Sequence, residues 1–178
     1  MIYSFEQFMS DLSAGRNVSP WHLHRQGQRV VFPPHQVVDA MSRAYIARDV
    51  HILSTLIELA QAYPDRRYTD VLCKIVEDPE PVWGCAEMAL DALEDVRDPR
   101  SFDALVRVAT RADLVWDLDW RKAVDTIADL YGWGMLEFEV VEKALRQIAE
   151  SGNILSKWAA SSLDSIIALK SKRDAGPR

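Results

Sequence analysis

The chain has 178 residues, 48% of them hydrophobic, a size and composition that fit one domain around a single continuous core. Its formal net charge of −6 at pH 7 argues against a nucleic-acid binder, because neutralising phosphates takes clustered Lys and Arg. The start, Met1-Ile2-Tyr3-Ser4-Phe5-Glu6, lacks the basic region and long apolar run of an export signal, and nothing approaches the roughly 18 consecutive apolar residues of a membrane span, so a cytoplasmic location is expected.

The charge is unevenly spread. Residues 77–142 hold 17 acidic and 6 basic side chains, net −11, whereas residues 1–76 are net +1 and residues 143–178 net +4. Both cysteines, Cys73 and Cys85, fall inside apolar helical patterns, which points to reduced core thiols and not to a disulfide.

Apolar residues recur at three- and four-residue intervals through most of the chain, and strand-length alternation is almost absent, which predicts roughly eight or nine helices. The first carries Phe5, Phe8, Met9 and Leu12 and stops at Ala14-Gly15; an irregular stretch from Ser19 to Pro34 follows, with a short extended piece at Val30-Val31-Phe32. From residue 34 the helices pair, their ends marked by Pro, Asp and Gly. Val37, Met41 and Ala44 face Leu53, Leu56, Ile57 and Ala60; Val71, Leu72, Ile75 and Val76 face Ala86, Ala89, Leu90 and Leu93. Leu105, Val106 and Ala109 face Ala123, Ile127 and Leu130; Val141, Leu145 and Ile148 face Leu155, Leu163 and Ile166. Trp83, Trp120 and Trp158 stand near the start of the second helix in successive pairs, 37 and 38 residues apart, which is a repeat signal.

The segment Asp78-Pro79-Glu80-Pro81-Val82-Trp83, with Ala86, Ala89-Leu90 and Leu93 after it and then Asp98-Pro99-Arg100, resembles HEAT-like repeats. The resemblance is clearest over residues 67–131, with weaker copies from 34 to 170. The third copy departs from it, with Asp113-Leu114-Val115-Trp116-Asp117 in place of the Asp-Pro turn. The resemblance implies an all-α fold, a short right-handed α-solenoid of stacked antiparallel helix pairs. On it, residues 1–33 form an N-terminal helix and irregular segment packed on the stack, residues 34–170 the repeats, and residues 171–178 a flexible basic tail. It further implies that the second helices line a concave, partner-binding face.

By helical spacing, Trp83, Glu87, Asp91 and Glu94 or Asp95 share one face of their helix, opposite Ala86, Ala89 and Leu93. Asp117, Arg121, Asp125 and Asp129 do the same one repeat later, giving two carboxylate stripes. Ordinary solvated faces of amphipathic helices would look alike singly; two stripes together accept a self-repulsion that a basic partner would relieve. Trp83, Trp116 and Trp120 are candidate anchors beside them, since tryptophan is enriched at binding hot spots. Core packing is the competing role, and is favoured for Trp120 and Trp158.

His22 and His24 are the one close histidine pair, and on an extended segment would share a side, but no third ligand has recognisable spacing, so no metal or other cofactor is expected. His35 and His51, at helix starts, read as capping or surface residues. No nucleophile elbow, phosphate-cradling Gly-rich loop or Cys-x-x-Cys is present. The expectation is a non-catalytic protein-binding domain, in type similar to small helical bacterial immunity proteins of contact-dependent inhibition, whose partner is a basic, nuclease-like toxin domain. The alternatives are a general HEAT-like scaffold or assembly factor and, third, a helical-repeat enzyme acting on nucleic acid. The last requires Arg43, Arg48, Arg66, Arg67 and Lys74 to gather in one groove.

Overall fold

The computed structural model describes residues 3–27, 32–82, 84–111 and 120–175. Among these the chain is all-helical, with ten α-helices and no strand, and it forms two compact units, Met1–Val96 and Arg97–Arg178. The expected extended piece at Val30-Val31 lies outside the described residues.

In the first unit, α1 (Phe5–Ser13) starts at Ser4, whose hydroxyl accepts the Gln7 N–H, and buries Phe8 and Leu12, one turn apart. Helix α2 (Pro20–Arg25) is the one that periodicity missed, because six residues are too few to show a period. Its signals are local: Ser19 accepts the His22 N–H, and Pro20 sits at the first helical position, where its missing N–H costs nothing. As a result His22 and His24 are two positions apart on a helix and point to different sides, which corrects the extended-segment expectation. Phe32 closes this end, its ring edge-on to Phe5 at 5.3 Å and tilted on Phe8 at 4.9 Å.

Helices α3 (Pro34–Ile46) and α4 (Val50–Ala62) pack on each other through Val37, Ala40, Met41 and Ala44 against Leu53, Leu56, Ile57 and Ala60. Each such Leu or Ile removed from water contributes about 1.5–3 kcal/mol. The reversal between them uses Arg48 at a φ of 56°, and Asp49 then caps α4 by accepting the Ile52 N–H at 3.0 Å. Helix α5 (Thr69–Glu77) buries Val71, Leu72, Ile75 and Val76; α6 (Cys85–Val96) buries Cys85, Ala86, Ala89, Leu90, Ala92 and Leu93. Helix α6 packs on both α4 and α5, and α3 packs on α5. The Asp78 turn between α5 and α6 is tied back to α3: Tyr45 donates its hydroxyl to Asp78 at 2.8 Å and Arg48 pairs with the same carboxylate at 2.9 Å.

In the second unit α7 (Phe102–Thr110) packs on α8 (Arg121–Gly132) and α9 (Phe138–Glu150), and α10 (Ser156–Asp174) on α8 and α9. Leu105, Ile127, Leu130, Leu145, Ile148 and Leu163 form its core. Two helix ends are closed by distant side chains. Asn153 donates its amide to the carbonyls of Ala109 and Thr110, at 2.7 and 3.2 Å, at the end of α7. Arg173 donates to Gly132 at 2.8 Å and Tyr131 at 3.4 Å at the end of α8. Of the tail expected over residues 171–178, residues 171–174 instead continue α10, held by that contact, and residues 176–178 lie outside the described residues.

Candidate partner-binding faces

Helix α6 carries Glu87, Asp91, Glu94 and Asp95 and no basic residue between Cys85 and Val96. Its small apolar residues draw it against α4 and α5, which turns the acids outward; Glu87 and Asp91 are half-buried and Glu94 and Asp95 exposed. Trp83, expected to head this face, lies outside the described residues, as do Trp116 and Asp117 of the second stripe.

The second stripe is more engaged. On α8, Arg121, Asp125 and Asp129 follow at one-turn intervals. Trp158 of α10 donates its indole N–H to Asp125 at 2.8 Å, and the Arg121 guanidinium lies 5.4 Å from the centroid of the same ring. One turn on, burial and then the nearby Asp125 charge push the Asp129 carboxyl above its ordinary value, while Arg97 opposes the rise. Arg97 itself, at a φ of 51°, lies 4.7 Å from the centre of the Trp133 ring. This unit thus presents Asp125 and Asp129 among tryptophans and arginines, not as a bare acidic row.

The tryptophans divide differently from expectation. Trp120 is 6% exposed, in the core role that competes with anchoring, and its Nε1 has no hydrogen-bond partner among the described residues. Trp158, expected in the core, is 41% exposed, because its N–H is spent on Asp125 and the ring must lie where that surface carboxylate is. Neighbouring Ile154 is exposed as well. Neither Cys73 nor Cys85 is in a disulfide; Cys85 is buried and its thiol is pushed up to about 11 by that burial.

A pattern missed in the sequence is Asp65-Arg66-Arg67, a local twin of Asp98-Pro99-Arg100. In each, the carboxylate accepts the N–H of the Arg two residues on, at 2.9 and 3.0 Å, and also that Arg's guanidinium, and a 3-10 turn leads into the next helix. The signal was available: Asp-x-Arg is followed in both places by an Asp and a Leu at the same offsets, Asp70 and Leu72 or Asp103 and Leu105. Of the bases that a nucleic-acid groove would require, Arg48 is engaged by Asp78 and Arg67 by Asp65.

No family model, curated protein or solved structure matches the chain.

Proposed function

We propose that this chain is a non-catalytic, HEAT-like helical-repeat protein that binds a basic protein through acidic helix faces, most concretely a cytoplasmic immunity protein that neutralises a nuclease-like toxin domain. The observation that carries the reading is α6, with four outward acids and no base along its length. A face of one sign raises the local concentration of an oppositely charged partner and speeds encounter. Asp129 adds support. Its ionisation is disfavoured by burial and by Asp125, so a partner's Lys or Arg placed there would relieve a cost already present.

The repeat reading is supported within each unit by which helices touch. First helices of neighbouring pairs pack together, α3 on α5 and α7 on α9, and so do second helices, α4 on α6 and α8 on α10. That two-layer pattern is what stacked helix pairs of a right-handed solenoid produce.

The test is co-purification of the tagged protein with the product of the immediately upstream gene, at low and high salt, with rescue of growth scored in parallel. A one-to-one complex that prevents killing is expected. Converting Glu87 and Asp91 to Lys together should slow association at least about tenfold at low salt, with the two proteins converging at high salt. Unchanged on-rates at low salt would defeat the charge argument. A second reading, a general scaffold or assembly factor, is favoured by the exposed apolar surface of Trp158 and Ile154. It predicts several partners whose binding depends little on salt.

A further inference from the structure

We infer that a cavity at the C-terminal end of α4 is a binding site for a small, uncharged aromatic molecule carrying a hydrogen-bond acceptor. The cavity has a volume of about 540 Å³ and lies wholly in the first unit. The local sequence makes it. Helix α4 ends at Ala62, Tyr63 leaves the helical conformation, Pro64 follows, and Asp65 then starts the tight turn that returns Tyr68 beneath the helix end. Phe32, Leu59 and Tyr68 form a buried floor, and exposed Tyr63 and the Asp65–Arg67 pair stand at the rim.

Two features separate this cavity from a packing defect. Its lining includes a polar atom that no described residue uses. Tyr68 is 2% exposed and its hydroxyl makes no hydrogen bond to a described residue. That hydroxyl is not sealed in either, since among the described residues the buried side-chain polar atom without a partner is Trp120 Nε1. The small open remainder of Tyr68 therefore includes its hydroxyl, and Tyr68 is among the residues that line the cavity. Burial pushes this phenol up to about 12, so at neutral pH it is a donor, and the ligand must supply the acceptor.

The second feature is charge. Arg67 donates Nε to Asp65 Oδ1 at 2.8 Å and Nη2 to Oδ2 at 2.7 Å, so the rim's two charges neutralise each other. Neither a cation nor an anion is favoured there. Aromatic and aliphatic walls, one convergent donor and a volume within the range of about 300–1,000 Å³ are the usual make-up of a small-molecule site. Nothing in this inference depends on the acidic face of α6.

The probes are acetophenone, a ring with a carbonyl acceptor, and ethylbenzene, which has a similar shape and no acceptor. Titrated into the ¹⁵N-labelled full chain, acetophenone should give saturable amide shifts concentrated at residues 59–68. Tyr68→Phe should weaken acetophenone about three- to tenfold, the worth of one hydrogen bond, and leave ethylbenzene unchanged. Ala62→Phe, which fills the cavity, should abolish both. Shifts that never saturate, or an equal loss for both probes in Tyr68→Phe, would overturn the proposal. Should circular dichroism show that Tyr68→Phe does not fold, the unaltered chain decides: acetophenone must bind at least about threefold more tightly than ethylbenzene, and equal affinities refute the site.

Discussion

Asp98 and Asp129 are both carboxylates of the second unit, and their surroundings act on them in opposite ways. Asp98 is 3% exposed and accepts both the Arg100 N–H and its guanidinium, so it holds the turn that starts α7. Asp98→Ala should cost about 1–2 kcal/mol, read as a lower midpoint in thermal unfolding, and Asp98→Asn should recover about half by keeping the acceptor for the backbone N–H. At Asp129 burial favours the protonated form, so Asp129→Asn should raise the midpoint by about 1–3 °C at pH 7. The sign reverses nothing but the pH window. A raised carboxyl contributes most below its ordinary value and loses that contribution as pH rises through the raised one, so the gain from Asp129→Asn should vanish in acid. Asp65 behaves in the other sense: the Arg67 hydrogen bonds hold its carboxyl below the usual range, and its contribution, complete above the ordinary value, is lost as pH falls through the lowered one. A pH series of thermal melts on the Asp129→Asn protein and the parent separates the two behaviours.

At the scale of the element, the apolar period placed nine of the ten helices because each buries a stripe of residues three and four apart, which is a property of neighbouring letters. The six-residue α2 has no room for a period and was legible only through Ser19-Pro20. What closes helix ends over a distance left no trace in spacing. Nothing near Asn153 in sequence says that it serves Ala109, or near Arg173 that it serves Gly132. The candidate site suffered the same limit. The acids of α6 could be read from spacing, but the exposure of Trp158, where core packing was favoured, is decided by a contact with Asp125, 33 residues away. Helix α6 invites a packing test because it is held on two sides, with Ala89 fully buried. Ala89→Leu should cost about 1–3 kcal/mol by overpacking, measured by denaturant unfolding, whereas a leucine on a solvated face would cost little.

For the whole molecule, the uneven charge is the property that no single residue shows. The net −11 of residues 77–142 is a self-repulsion present whether or not a partner is bound, and salt should screen it. Moving from low to physiological ionic strength should therefore raise the unfolding midpoint by about 2–4 °C, because the exposed ion pairs that salt weakens, such as Arg146–Glu142, are individually worth little. A midpoint that falls with salt would mean that the paired charges outweigh the repelling ones.

The buried thiol of Cys85 has one more consequence. An alkylating reagent attacks the thiolate, and here the thiol is both inaccessible and, with its ionisation pushed up to about 11, almost entirely protonated at neutral pH. Adduct can form at Cys85 only during the moments when the first unit comes apart around α6. Its labelling rate, followed by mass spectrometry and resolved from that of Cys73, is thus a clock for those openings, set by the free energy of exposing the helix and needing no probe beyond the protein's own sulfur.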